Sequence, residues 1–175
     1  MKKIAVVAAA FVLLAGPAFA QSVGEKTGVN STLDVAPKTT DFVTEAAQSD
    51  MFEIQSSQLA ASKTHGDVQA FANQMVTDHT KTTDELKGLA PSANAPLPTA
   101  MNSSQQSMLD KLKSLKGTDF RKRYVSDQVS AHKTAVSLFE RYAKGGDNEK
   151  LKAWANQTLP TLQHHLDMAN KLYKR

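Results

Sequence analysis

The sequence predicts an all-α protein, a four-helix bundle with one extra short helix. In four long segments, apolar residues recur every three or four positions, as on one face of an amphipathic helix. No segment shows the alternation of apolar and polar residues that is typical of strands. Glycine and proline are few, and alanine, a strong helix former, is frequent.

The composition limits the chemistry that is open to the chain. With 175 residues, the chain is long enough for one domain of ordinary size. It contains no cysteine, which excludes disulfides, thiolate zinc sites, iron–sulfur clusters and thiol catalysis. The formal net charge is +4 and no long basic run is present, so we expect no nucleic-acid partner.

The first 20 residues have the pattern of a secretory signal peptide. A basic start, Lys2-Lys3, is followed by an apolar run over residues 4–15 and by the cleavage pattern Ala18-Phe19-Ala20. The run is shorter than the ~20 residues that a membrane-spanning helix needs. We therefore expect cleavage after Ala20, export to the periplasm, and no transmembrane segment after cleavage.

The first half of the remaining chain predicts a leader and a helical hairpin. Residues 21–39 are polar and rich in Gly, Ser and Thr, which predicts a flexible leader before a bundle domain over residues 40–175. The periodicity predicts helices from about Asp41 to Lys63 and from Val68 to Ala90. Because only a short turn around Gly66 separates them, we expect antiparallel neighbours.

The second half predicts a linker, the short helix and a second hairpin. The linker, Pro91–Thr99, holds three prolines and cannot be helical. Helices follow from Ser103 to about Lys116, from Thr118 to Lys144, and from Asn148 to Tyr173. Pro160 lies inside the last helix, and the continuing periodicity predicts a kink rather than an end. The pattern leaves open whether the linker carries the chain along the bundle.

Each long helix places one potential metal ligand at or near its apolar face: Glu53, His79, His132 and His165. Imidazole and carboxylate groups that face inward from different helices are the usual composition of a metal site in a bundle. Asp78, next to His79, is a candidate partner in the second coordination sphere. A divalent ion, Zn²⁺, Fe²⁺ or Mn²⁺, is the candidate cofactor.

Depth along the bundle axis favours three of these four residues. Counted from the hairpin turns at 1.5 Å per residue, Glu53 and His79 differ in depth by roughly 6 Å, and His132 lies at a similar depth. His165 lies off the level of His132 by roughly 9 Å. We therefore expect Glu53, His79 and His132 to be the better trio, with His165 as a fourth ligand only if a kink near Pro160 or a shifted register brings it in.

A second interpretation of the same residues needs no metal. Buried histidine and glutamate side chains require hydrogen-bond partners, and they can form a network that ties helices together. From the sequence alone, this structural network is favoured over the metal site. Ferritin-type di-iron chemistry requires Glu-x-x-His on two helices, and the chain contains no such pair. Oxidase activity is therefore disfavoured, and we do not expect an enzyme.

A short basic group lies near the start of the second hairpin: Lys116, Arg121, Lys122 and Arg123. Groups of this size usually form a solvated face. They can also make weak contact with an anionic surface of the cell envelope.

Two motifs give the chain a family resemblance. The phrase A-x-x-M-x-x-D-H contains Asp78 and His79, and the phrase L-P-x-L-x-x-H-L contains Pro160 and His165. With these motifs the chain resembles the DUF4142 proteins from about residue 41 to residue 173. The F-D-x-x-Y motif of that family departs here, because Arg121 stands in the acidic place.

The resemblance implies an exported bacterial protein with a ferritin-like helical fold and no established activity; such proteins are often labelled putative outer-membrane proteins. With the signal pattern, it predicts a periplasmic bundle that serves as an envelope stress or binding protein, with another envelope protein as candidate partner. The alternative is a metal-binding bundle that uses the inner-face His and Glu residues.

Overall fold

The computed structural model describes residues 21–26 and 28–174. The expected signal peptide, residues 1–20, and its cleavage site lie outside the described residues. Seven α-helices and one short 3₁₀ helix, Ala90–Ala93, form the described part, which contains no strand. The 3₁₀ helix enters the segment predicted to contain no helix, because Pro91 lies in its first turn, where the missing N–H of proline is tolerated. The all-α prediction is confirmed. The α-helices are α1 (Val23–Lys26), α2 (Val29–Thr32), α3 (Thr39–Lys63), α4 (Gly66–Leu89), α5 (Ser103–Ser114), α6 (Gly117–Gly145) and α7 (Glu149–Tyr173).

The helix limits follow local sequence signals. The α5 helix begins with a reciprocal capping box, in which the Asn102 side chain accepts from the Gln105 backbone and the Gln105 side chain accepts from the Asn102 backbone. The α7 helix continues through Pro160, as the periodicity predicts. No helix in the described part of the chain is both long and apolar enough to cross a membrane.

Four long helices form the bundle, and each packs against its neighbours in antiparallel fashion. The hairpins α3–α4 and α6–α7 lie side by side, with α3 against α6 and α4 against α7. Phe42, near the start of α3, stacks on Tyr142, near the end of α6, with ring centroids 3.9 Å apart. At the other end, Lys63 lies over the ring of Phe120. The two contacts show that α3 and α6 run in opposite directions.

The segment between the two hairpins crosses the length of the bundle. After α4 the chain forms the 3₁₀ helix, and α5 then runs beside α3. At the end of α3, Lys63 Nζ donates to the carbonyl oxygens of Lys113 and Leu115, at the end of α5. The chain order left open by the sequence is thus settled. The second and third long helices are joined by one long crossover, which is the connectivity of ferritin-like bundles.

Two single-turn helices, α1 and α2, lie where the sequence predicts a flexible leader. Arg141 of α6 joins this segment to the bundle by donating to both carboxylate oxygens of Glu25 and to the carbonyl oxygen of Val35. Gln21 also donates to Glu45 of α3. These partners lie more than 20 positions away in sequence, so local composition did not indicate them.

The core consists of two apolar clusters separated by a polar layer. One cluster contains Phe42, Phe139 and Trp154, and the other contains Phe71 and Tyr124. In α4, α6 and α7 the inner-face histidine lies between positions that belong to different clusters, and in α3 Glu53 directly follows Phe52 of the second cluster. This layer contains Glu53, His79, His132 and His165, together with the buried side chains of Asp50, Ser56 and Gln128.

Candidate metal centre

Three histidines from three helices meet in the polar layer. His79 of α4, His132 of α6 and His165 of α7 are 2%, 1% and 1% exposed. Their ring centroids are 5.4 to 5.5 Å apart in all three pairs. One ligand atom from each ring lies within 4.8 Å of the others. Histidines this close together and this deeply buried are candidates for a single shared ligand.

Asp50 orients the ring of His79. Its Oδ1 lies 2.8 Å from Nδ1 of His79, and its Oδ2 accepts hydrogen bonds from the hydroxyls of Thr82 and Thr83. A carboxylate accepts only, so Nδ1 of His79 carries the proton in this bond. This bond holds the imidazole ring in one orientation and leaves Nε2 as the nitrogen without a hydrogen-bond partner. Asp50 was not among the candidate residues predicted from the sequence, although it lies three residues before Glu53 on the same helix.

The other two rings are held in the same manner by other groups. Nδ1 of His132 donates to the backbone carbonyl of Gln128, at 3.0 Å, and Nε2 of His165 donates to Oδ2 of Asp78, at 2.9 Å. Asp78 itself accepts a bond from Gln74. The sequence suggested Asp78 as a partner in the second coordination sphere, next to His79. In the structure its carboxylate instead accepts from His165, across the helix interface.

The second nitrogen of each ring has no hydrogen-bond partner. These atoms are Nε2 of His79, Nε2 of His132 and Nδ1 of His165, all buried. Because the bonded nitrogen of each ring carries the proton, the other nitrogen of a neutral imidazole presents a lone pair. In their neutral forms, the three rings therefore each present one unpaired acceptor within the polar layer.

Burial and mutual repulsion keep most of these rings neutral. Burial, together with the charges of His79 and His165, lowers the pKa of His132 well below its ordinary value. Burial and the charge of His79 lower the pKa of His165 to about 4, against the opposing effect of Asp78. Burial would also lower the pKa of His79, but its bond to Asp50 outweighs this and raises the pKa. At neutral pH His132 and His165 therefore offer lone pairs, whereas the bond to Asp50 shifts His79 toward its protonated form.

Glu53 lies beside this centre without joining it. Its side chain is 1% exposed and both carboxylate oxygens lack a hydrogen-bond partner. Oε1 is 3.8 Å from Nδ1 of His132, too long for a hydrogen bond. Burial raises the pKa of Glu53 to about 7, although the charge of His79 acts in the opposite direction. The trio that the structure brings together contains His165 in place of Glu53.

The predicted depth of His165 along the bundle axis was wrong because it counted the residues of the α6–α7 turn as helical. Residues 146–148 between α6 and α7 are not helical, so they add little to the depth. His165 lies about 16 residues after Glu149 and His132 about 13 before Gly145, which is a difference of roughly 4.5 Å along the axis. That difference is small enough for the rings to meet. The remaining histidines, His65 and His164, are exposed.

The chemistry of this donor set suits a cation better than a reaction. Three imidazole nitrogens held by hydrogen bonds on their far sides match the usual arrangement of metal-ligating histidines. The rings are almost inaccessible to solvent, so a substrate larger than an ion would have to open the core to reach them. The geometry therefore favours ion binding over catalysis.

Comparisons with known proteins agree with the helical architecture. No curated protein matches the chain. A solved structure titled "CopM in the Cu(II)-bound form" superposes with a TM-score of 0.67 at 14% identity, covering 80% of this chain and 98% of that chain. At this identity the likeness shows the fold alone. The family description "Domain of unknown function (DUF4142)" matches residues 24–172, and the chain therefore belongs to the DUF4142 family.

Proposed function

We propose that this chain is an exported helical-bundle protein that binds one metal ion through His79, His132 and His165. One observation carries the proposal: each of the three buried rings has one nitrogen without a partner, and the rings offer ligand atoms within 4.8 Å of one another. A purely structural network would pair such atoms with donors, because an unsatisfied buried polar group costs about 1–3 kcal/mol. A cation would satisfy all three lone pairs together.

The groups behind the rings support the same proposal. Asp50, the carbonyl of Gln128 and Asp78 each fix one ring and its tautomer. Hydrogen bonds of this kind make the imidazoles more basic as ligands. Glu53 is the candidate fourth ligand, since its two oxygens are unpaired beside His132. Its carboxylate would also offset the positive charge of a bound ion.

The ligand types narrow the choice of ion. Imidazole nitrogen suits Zn²⁺, Cu²⁺ and Fe²⁺, whereas Mn²⁺ prefers oxygen ligands and is the weakest candidate of those considered. Copper joins the candidates because the structurally similar CopM is described in a Cu(II)-bound form. For a site of nitrogen ligands, Cu²⁺ is generally bound more tightly than Fe²⁺ or Zn²⁺.

Export belongs to the same proposal. The basic start, apolar run and Ala-x-Ala pattern of residues 1–20 are the features that support it. The intact mass of the protein recovered from the envelope fraction of a bacterial host tests this directly. A chain that begins at Gln21 is expected, and a chain that retains residue 1 contradicts it. A role in envelope stress stays a prediction.

The metal proposal is tested with two histidines that are adjacent in sequence. His165→Ala removes a proposed ligand, and His164→Ala removes an exposed neighbour on the same helix and serves as the control. Both variants and the wild type are expressed as full chains and purified as the host processes them, without chelator. Metal content is measured by mass spectrometry, and thermal unfolding is followed with and without added Zn²⁺ or Cu²⁺.

We expect one metal per chain in the wild type and in His164→Ala, and none in His165→Ala. An ion at about 100 times its dissociation constant should stabilise the first two proteins by about 2.7 kcal/mol and leave the third unchanged. Circular dichroism checks that His165→Ala is folded. Equal metal content in all three proteins, or no metal in the wild type together with no stabilisation, would overturn the proposal.

A further inference from the structure

The charged residues of the bundle are distributed unevenly between its two ends. Three observations place the end of α3, the start of α4, the start of α6 and the end of α7 together. Lys63 lies over Phe120. One cleft is lined by the start of α6 and the end of α7, and a shallow cavity is lined by the start of α4 and the end of α7. We call the exposed surface here the basic end face, and its cations are Lys116, Arg121, Lys122, Arg123, Lys171 and Lys174.

Most of these cations lack a carboxylate partner. Arg123 donates to both oxygens of Asp127. No described carboxylate forms an ion pair with the other five cations. Two further acids, Asp67 and Asp119, lie at this end, so basic side chains outnumber acidic ones. The basic end face therefore carries a net positive charge.

The opposite end shows that this excess is local. Three of its lysines are each paired with a carboxylate at 2.7 to 3.0 Å: Lys87 with Asp84, Lys144 with Asp34, and Lys152 with Glu149. Three lysines at that end are thus neutralised by the chain itself, whereas Lys38 and Lys150 form no ion pair with a described carboxylate. Those of the basic end face remain available to an outside partner.

The shape of the face favours an extended partner over a single small anion. Arg121, Lys122 and Arg123 are consecutive in α6, so their side chains leave the helix about 100° apart and cannot all converge on one phosphate. Beside them lies an open cleft of about 600 Å³, and Tyr173 at its rim is 62% exposed. Dispersed cations with an exposed aromatic ring that has a polar tip are the composition of surfaces that lie on lipid headgroups.

We propose that the basic end face binds the protein reversibly to the surface of a membrane that contains anionic phospholipid. The interaction is electrostatic, so each uncommitted lysine or arginine contributes and salt weakens it. It is independent of the metal centre, which lies in the middle of the bundle. An acidic protein partner is disfavoured because the cleft beside these cations is open, whereas interface hot spots lie in well-packed, fully desolvated pockets.

The test uses two variants with the same change in charge. One is Lys116→Gln/Arg121→Gln/Lys122→Gln on the basic end face, and the matched control is Lys87→Gln/Lys144→Gln/Lys152→Gln at the opposite end. Each full-length protein, purified as the host processes it, is sedimented with phosphatidylcholine vesicles that contain about 30% phosphatidylglycerol or none. The assay is repeated at about 0.5 M salt and with added inorganic phosphate.

We expect the wild type and the control variant to bind the anionic vesicles and to be released by salt. The basic-face variant should bind on the order of 100-fold more weakly, since about 1 kcal/mol is lost for each cation. Equal binding by both variants, or equal binding to vesicles without phosphatidylglycerol, overturns the proposal. Release by millimolar phosphate at constant ionic strength identifies a free anion as the ligand and also overturns it, as does a wild type that fails to bind anionic vesicles.

Discussion

Two buried polar groups of this bundle differ in how far the chain satisfies them. Arg141 is 4% exposed, and its two terminal nitrogens donate to Glu25 and to the carbonyl of Val35, which leaves only its Nε without a partner. In the histidine centre each of the three rings has one nitrogen bonded and one unpaired. The charge of Arg141 is matched within the chain, whereas each of the three histidine rings keeps one buried nitrogen without a partner.

The difference separates a structural contact from a candidate binding site. A buried charge whose partners come from the same chain ties two segments together, here the N-terminal segment and α6. Buried ring nitrogens without a hydrogen-bond partner do not stabilise the folded chain by themselves. They are available to bind a cation. Four changes test this comparison, and they are given from the largest expected effect to the smallest.

Arg141→Leu should have the largest effect on the free energy of unfolding. It removes the partner of Glu25, and breaking a buried pair in this way costs about 3–5 kcal/mol. The N-terminal segment with α1 and α2 should then exchange its amide hydrogens faster. Urea unfolding and hydrogen exchange measure the two effects. Lys144→Leu, which removes an exposed pair with Asp34, is the control and should cost at most about 1 kcal/mol.

Asp78→Asn should weaken metal binding without abolishing it. The asparagine can still contact the His165 ring but no longer offers a carboxylate, and changes of this kind reduce metal affinity by about 10- to 100-fold. Competition with a chelator of known affinity measures the change. Asp167→Asn, an exposed acid two residues after His165, provides the comparison. If both variants bind metal as tightly as the wild type, Asp78 does not position a ligand.

Glu45→Gln should change how stability depends on pH. Burial and the nearby charge of Glu25 raise the pKa of Glu45 to about 8, from an ordinary value of 4.5. A carboxyl group with a raised pKa contributes stability below its unfolded pKa, and this is lost as the pH rises through the folded pKa. The wild type should therefore lose stability between about pH 5 and pH 8.

Glutamine mimics the protonated side chain, so the variant should be more stable than the wild type at pH 9. Because Glu45 is only partly buried, we expect a gain on the order of 1–2 kcal/mol, which disappears near pH 4. Urea unfolding at several pH values provides the measurement. A gain that is the same at every pH would show that the ionisation of Glu45 is not the cause.

His132→Leu should have the smallest effect on the metal-free protein. Leucine fills a similar volume and removes an unpaired polar atom, so stability without metal should stay within about 1 kcal/mol of the wild type. Added Zn²⁺ or Cu²⁺ should no longer raise the melting temperature. A large loss of stability in metal-free buffer would show that His132 is a structural residue, and the distinction from Arg141 would then fail.

The periodicity of the sequence determined the secondary structure because it records which face of each helix is buried. All five helices predicted within the bundle were found, and the continuation of α7 through Pro160 followed from the same pattern. The inner-face positions of Glu53, His79, His132 and His165 were also predicted, and all four side chains are buried. A local pattern suffices for these features because neighbours at three and four positions define a helix face.

The sequence did not determine which of these side chains meet. His165 pairs with Asp78, 87 positions away in sequence, and Arg141 pairs with Glu25, 116 positions away. The local periodicity of the sequence does not depend on either pair. The depth of each histidine along the bundle axis depends on how many residues belong to the turns rather than to the helices. Residues 146–148 are not helical, and His165 therefore lies at the level of the other two histidines. The tertiary structure alone decided the trio, since ring contacts depend on helix depth and packing to within a few ångströms.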